Sequence, residues 1–190
     1  MELTIERGKN SENLMIAGAG QNDILPGNFR NFRGEKRKSP SGKVVNDEGT
    51  RNFNLALNLP VEALDDLASL GLNIKEIPPR DEEYGDEPLR FVKVNVAFGG
   101  KVPPQLYLVA KNKMKELTQN ELGLLDGARF TNVDLVVRTY HRDEGTCTLY
   151  LQKGFFTLEV DPISAKYADY DIDSEITAGP ADDGETPPWD

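Results

Sequence analysis

The sequence predicts a mainly β domain with short helices, and three observations predict it. Several stretches alternate apolar and polar residues with the period of a half-buried strand. Only two segments read as helices, both short, and nowhere do strands and helices alternate as a parallel βαβ sheet requires. The apolar period stops after Asp161-Pro162, and the remainder is acidic. These features leave a barrel or a sandwich as the architectures open to the chain.

Residues 1–22 combine a short apolar run (Leu14, Met15, Ile16) with Gly18-Ala19-Gly20, which predicts a weakly structured arm holding one strand. Residues 24–34 read as a strand interrupted at Pro26-Gly27, with Phe29 and Phe32 set among arginines. Residues 35–50 then form a long polar loop; loops beyond about 12 residues are uncommon in compact domains and tend to be functional. From 51 to 59, Phe53, Leu55, Leu57 and Leu59 alternate with Asn52, Asn54, Ala56 and Asn58, so one face is core.

Pro60 suits the first turn of a helix running to Leu70, with Val61, Leu64, Leu67 and Ala68 on one side and Gly71 as its stop. Residues 73–77 are a strand ended by Pro78-Pro79, and an acidic loop over 80–88 follows. The clearest strand is 89–98, where Val92, Val94, Val96 and Phe98 oppose Phe91, Lys93, Asn95 and Ala97. Residues 104–110 give a short strand, and Thr118-Gln119-Asn120-Glu121 is a capping-box pattern opening a helical turn toward Leu125. Strands over 132–141 and 146–160 are joined by the hairpin-like Arg142-Asp143-Glu144-Gly145.

Charge divides the chain. Residues 159–190 hold ten acidic side chains against Lys166 alone, so a body near -1 remains of a total of -10. This acidic segment buries too little to offset an ordering entropy of about 1–2 kcal/mol per residue, and it is expected to be disordered. The domain plan is therefore an arm over 1–22, a folded body over 23–160 and a tail over 161–190. Within the body, residues 28–45 bunch Arg30, Arg33, Lys36, Arg37, Lys38 and Lys43 against Glu35.

Catalysis finds little support. His141 is the single histidine and Cys147 the single cysteine, which excludes a disulfide framework and a cysteine metal cluster and points to a reducing, cytoplasmic setting. Asp81-Glu82-Glu83 and Asp182-Asp183 lack the glycine and spacing of a calcium loop, and Gly18-Ala19-Gly20 and Gly99-Gly100 lack the residues of a phosphate loop. The expectation is a protein that is not an enzyme and needs neither metal nor cofactor. With no basic-then-apolar leader and no run of eighteen apolar residues, neither export nor membrane insertion is expected.

Single-stranded nucleic acid is held by cations that track phosphates and by aromatic faces on which bases stack. Aromatics interleaved with cations supply both between Phe29 and Lys43. The same combination recurs where the strand period pushes residues off the core face: Phe91 with Lys93, and Arg138 with Tyr140, opposite Val133, Leu135 and Val137.

Several stretches between residues 30 and 169 resemble the single-stranded-DNA-binding proteins of tailed bacteriophages and prophages. They are Arg30-Asn-Phe-Arg-Gly34, Glu48-Gly-Thr-Arg-Asn-Phe53, Gly71-Leu-Asn-Ile-Lys75 with Pro79-Arg-Asp-Glu-Glu83, Asn132-Val-Asp-Leu135, and Tyr150-Leu151 leading to Phe156-Thr-Leu-Glu159 and Lys166-Tyr-Ala-Asp169. The resemblance implies an OB-like barrel of five to seven strands, with Arg30, Phe32, Arg33, Arg51 and Phe53 in or beside a DNA groove. Stacking is then expected from Phe29, Phe32, Phe53, Phe91 and Tyr140. Phosphate contacts are expected from Arg30, Arg33, Lys36, Arg37, Lys38, Lys43, Arg51, Lys93 and Arg138, with the 35–50 loop closing over the strand.

The tail resembles the acidic C-terminal tails of bacterial single-stranded-DNA-binding proteins, which recruit replication and repair enzymes. Pro187, Pro188 and Trp189 are the partner-binding residues this implies, although Asp190 follows the aromatic. The expected function is coating of single-stranded DNA in phage replication or recombination. The alternative is a phage interaction module whose acidic tail occupies a basic groove on an enzyme. Monomer and dimer stay open.

Overall fold

A computed structural model describes residues 1–9, 11–79, 87–111, 113–142 and 145–159. The chain divides into two compact units, Met1–Glu159 and Val160–Asp190. The second unit lies outside the described residues, and with it the expectations for the acidic tail, Pro187, Pro188 and Trp189. Most of the 80–88 loop and the centre of the Arg142–Gly145 turn lie outside them too.

The body is mainly β with two short helices, as its alternating stretches predict. In chain order the strands are β1 (Glu2–Arg7), β2 (Glu12–Ala19), β3 (Arg30–Asn31), β4 (Arg37–Lys38), β5 (Val44–Asn46), β6 (Arg51–Ala56), β7 (Lys75–Ile77), β8 (Leu89–Val96), β9 (Gln105–Ala110), β10 (Lys113–Glu116), β11 (Phe130–His141) and β12 (Cys147–Leu158). The helices are α1 (Val61–Ser69) and α2 (Leu124–Gly127).

Ten strands form one sheet in the order β1-β2-β11-β12-β8-β6-β3, with β7 on β8 and β10 on β9. β12 is the spine. Its first half pairs in parallel with β8 through Leu149 and Tyr150, and its second half pairs in parallel with β9 through residues 153–157. β4 and β5 make a separate two-stranded hairpin.

The sheet is larger than the five to seven strands expected, and its pairing path runs from β1 to β3 without closing. It nevertheless curls. β2 and β6 stand four places apart, about 19 Å if the sheet were flat. Yet Leu14 of β2 and Leu55 of β6 line one small apolar space together with Val92 and Leu149.

The curl encloses one core. β11 contributes Phe130, Val133, Leu135 and Val137, β8 contributes Val92, Val94 and Val96, and β12 contributes Leu149, Leu151 and Phe156. α1 adds Leu64 and Leu67; it begins after Pro60, and Gly71 beyond its end takes the left-handed φ of 78° that suits a helix stop. At the centre Phe32 and Phe53 stack at 5.2 Å, and Phe156 meets them edge-on at 5.7 and 6.4 Å.

Two expectations need correcting. The 1–22 arm is a β hairpin, and β2 pairs with β11 through Arg138↔Asn13 and Leu135↔Ile16, so Leu14 and Ile16 are core residues. The 35–50 loop carries the β4–β5 hairpin, turned at Ser39–Lys43 with Gly42 at φ 81°. A two-stranded hairpin is marginal alone, and pairing of β2 with β11 and the seating of β4–β5 on the body supply stability that the local sequence does not advertise. Thr118 and Glu121 do close a turn ahead of α2: the Glu121 carboxylate accepts from the Thr118 backbone N–H at 3.0 Å and from its hydroxyl at 2.8 Å.

Because Phe53 is fully buried between two other rings, Phe53→Ala is expected to cost about 3–5 kcal/mol of folding stability. Urea denaturation of the variant against the natural protein measures it, and a midpoint unchanged by the substitution would show that the ring is not a core element.

Candidate nucleic-acid interface

The first cluster that the sequence singles out turns inward. Phe32 and Phe53 have no exposed surface, so neither reaches a base. Arg30 is 3 % exposed, and its guanidinium donates to four carbonyl oxygens: Ile24 at 2.6 Å, Leu25 at 3.0 Å, Leu125 at 3.3 Å and Ala128 at 2.6 Å. It also sits 4.9 Å from the Phe130 ring centroid. Burial lowers its pKa, and the charge of Asp126 partly offsets this. The Asp126 carboxylate accepts from the backbone N–H groups of Phe32 and Arg33 at 2.7 and 3.0 Å. Arg30 therefore ties chain to chain and is not a phosphate contact.

Phe91 does stand on the outer side of β8, as its period predicts, but Leu25 and Phe29 cover it. Phe29 meets it edge-on at 5.5 Å, leaving Phe29 itself half-buried. These two rings pack on each other, and Phe91 has no face left for stacking. Arg33 is exposed and pairs with Glu35 at 3.5 Å across a solvated gap, an interaction of little energetic weight.

Beyond residues 25–29 the outer face of the sheet is open except over β6, where Asn46 covers Asn52 and Phe29 covers Asn54. Register aligns one row across five strands: Asn52 of β6, Asn95 of β8, Tyr150 of β12, Arg138 of β11 and Asn13 of β2. Beside it run Asn54 and Lys93, and then Thr148 and Tyr140. Three recesses merge over these rows. The first, about 380 Å³, is lined by Arg51, Asn95, Phe98, Gln119 and Tyr150 among others; the second, about 140 Å³, shares Asn95 and adds Asn73, Lys75, Lys93 and Thr148. The third, about 370 Å³, shares Tyr150 and adds Ser11, Arg138, Tyr140 and Gln152.

Two tyrosines stand in this trough. Tyr140 is 59 % exposed, and its ring meets that of Tyr150 edge-on at 6.3 Å. Cations surround them. Lys93 is half-buried, and its pKa is lowered first by loss of solvent and then by the like charge of Lys75. Arg51 donates to the Gly49 carbonyl at 3.3 Å and lies 6.0 Å from the Phe98 centroid, while its buried Nε has no partner. Arg138 donates to the Ser11 hydroxyl at 3.0 Å. Among the described residues, no carboxylate pairs with Arg51, Lys75, Lys93 or Arg138.

The β4–β5 hairpin is seated at the trough's edge by Asn46. Its side-chain oxygen accepts from the Asn52 amide at 2.9 Å and from Lys93 at 3.4 Å. The hairpin and its approaches carry Lys36, Arg37, Lys38 and Lys43; Arg37 is steadied by the Asn28 carbonyl at 3.1 Å, and the three lysines are exposed. So Arg51, Lys93, Arg138 and Tyr140 come together, with the hairpin cations beside them, whereas Arg30, Phe32, Phe53 and Phe91 do not join them.

Tyr150, Asn95 and Lys75 are trough residues that the sequence reading passed over. Tyr150 was findable: between Leu149 and Leu151 it falls on the polar side of its strand by the alternation that located Tyr140. Lys75 sits in a three-residue strand, too short for a period to show.

Opposite the trough's outer rim, Glu12 holds β2 to β11. Its carboxylate accepts from the Thr139 hydroxyl at 2.5 Å and faces the His141 Nε2 at 2.6 Å. Those two contacts, the Thr139 hydroxyl first, hold its pKa below the ordinary value of 4.5. Cys147 is buried, which pushes its thiol pKa up and away from nucleophilic use. No cluster of metal-ligating side chains occurs among the described residues, and no helix among them is long and apolar enough to cross a membrane.

The outer face of the curled sheet thus gathers two tyrosines and four cations with which no carboxylate among the described residues pairs. The chain belongs to a family of phage single-stranded-DNA-binding domains: the family described as "Putative phage ssDNA-binding domain" matches residues 4–189. The resemblance noted in the sequence is thereby borne out. Among solved structures, the chain is similar to the single-stranded DNA-binding protein from bacteriophage Enc34, in a C-terminal truncation. The two are 11 % identical over 85 % of this chain and 96 % of that one, with a TM-score of 0.42. No curated protein matches the chain.

Glu12 generates a pH prediction. Its carboxylate is more acidic folded than unfolded, so its contribution to stability is full above about pH 4.5 and is lost as pH falls through the lowered folded value. Glu12→Gln is expected to flatten that acid limb in thermal melts taken from neutral pH downward. An acid limb identical in both proteins would refute the role of this carboxylate.

Proposed function

We propose that the protein binds single-stranded DNA without sequence preference across the outer face of its sheet, and that it does so to coat exposed strands in phage replication or recombination. The observation that carries this reading is the exposed Tyr140 beside Tyr150, on a face where no carboxylate among the described residues pairs with Arg51, Lys75, Lys93 or Arg138. Family membership supports the choice of ligand. Bases stack on Tyr140 and Tyr150; phosphates meet Arg51, Lys75, Lys93 and Arg138, and then Lys36, Arg37, Lys38 and Lys43 of the hairpin. Stacking and phosphate contacts read no base edge, which suits tolerance of sequence.

Lys93 shows why these cations favour binding over stability. A half-desolvated ammonium beside Lys75 has only a long hydrogen bond to Asn46 to set against those costs, and an arriving phosphate relieves both. The acidic residues 161–190 fit a separate role in recruiting a partner protein, with Pro187, Pro188 and Trp189 as its contacts.

Fluorescence anisotropy with labelled oligothymidylate, together with thermal melts, tests this. Tyr140→Ala and Tyr150→Ala should each weaken binding by about 1–3 kcal/mol per base unstacked, and the logarithm of affinity should fall with that of salt at about -0.7 per phosphate neutralised. Lys93→Met should weaken binding without lowering the melting temperature. Truncation after Ala168 should leave affinity for DNA intact. Equal affinity for duplex and single strands would refute stacking as the basis of recognition.

A further inference from the structure

The outer face of β12 does not end at Tyr150. A register shift between Val136 and Val137 leaves an extra residue on β12, so that Val136 lies opposite Lys153 while Val137 lies opposite Leu151. Gln152 and Lys153 thus follow one another without a core residue between them, and both are half-buried. After the bulge Gly154 faces the core, where a Cβ would press on Phe156 and Leu135, and Phe155 returns to the outer side. There it is in register with Tyr107 of β9.

The two rings stack at 5.0 Å with planes 14° apart, and the Lys153 ammonium lies 5.5 Å from the Phe155 centroid and 5.7 Å from that of Tyr107. No carboxylate among the described residues pairs with Lys153. Tyr150 and Phe155 are five residues apart on one strand, about 16 Å. That is too far for one base to touch both, and both are on the same side of the sheet.

We propose that Tyr107, Phe155 and Lys153 form a second nucleotide subsite, at which a single strand leaving the Tyr140–Tyr150 trough along β12 stacks a further base and places a further phosphate. This rests on the proposed function and extends the path of the same ligand. Two aromatic faces with one shared, unpaired cation repeat the chemistry of the trough, in which Tyr140 and Tyr150 stand beside Arg138. A cross-strand aromatic pair also steadies β9 on β12, and that role alone would leave DNA affinity untouched.

The test uses the full chain with oligothymidylates of about six and about sixteen nucleotides, within the range of site sizes of single-strand-binding folds. The double variant Tyr107→Leu, Phe155→Leu keeps apolar bulk at the strand pair. It is expected to bind the longer oligonucleotide roughly 5- to 100-fold more weakly and the shorter one as the natural protein does. Photocrosslinking of the natural protein to the longer strand carrying 5-iododeoxyuridine gives a readout independent of any variant, and adducts at Tyr107 or Phe155 are expected. If the double variant binds both lengths normally, or adducts are confined to Tyr140 and Tyr150, the subsite is overturned while the trough stands. If Tyr140→Ala leaves both affinities unchanged as well, the trough falls with it.

Discussion

The buried guanidinium of Arg30 is the constraint on which the rest of the body depends. Four carbonyls from two distant stretches, residues 24–25 and 125–128, converge on it, and hydrogen bonds from a charged donor contribute about 1.5–3 kcal/mol each. With those stretches fixed, Phe32 is driven into the core beside Phe53, and Asp126 caps the backbone that follows. The same tie carries residues 25–29 across one end of the outer face, where they cover Phe91 and stop short of Lys93. The covered and the open parts of that face are thus set by one side chain that touches neither Tyr140 nor Tyr150.

Core and trough make opposite use of charge. Inside, Arg30 finds every partner it needs; outside, Lys93 and Lys75 repel each other and Arg51 keeps an unsatisfied nitrogen. A face arranged for its own stability would pair these cations with carboxylates, and the chain has carboxylates in excess. Among the described residues these cations stand without carboxylate partners beside two tyrosines, a local departure from good folding practice.

Much of the fold was legible because burial imposes its period on long strands. β6, β8, β11 and β12 each alternate over six or more residues, and α1 is bracketed by Pro60 and Gly71. β10 was not legible, since all four of its residues are exposed and only its pairing with β9 makes it a strand. The site was legible where alternation gave direction, as for Lys93, Arg138 and Tyr140. Between residues 28 and 34 no strand is long enough to assign sides, so a run of arginines and phenylalanines looks the same whether it faces DNA or the core. Phe32 and Arg30, which lie in one of the stretches that carry the family resemblance, hold the body together.

The seat of the β4–β5 hairpin has a consequence for release. Asn46 accepts from two donors, the neutral Asn52 amide and the charged Lys93, so only part of the hairpin's seat is sensitive to ionic strength. On the proposed function, salt that loosens a phosphate from Lys93 and Arg138 leaves the Asn46–Asn52 contact standing. The trough's wall would then be kept from one strand to the next.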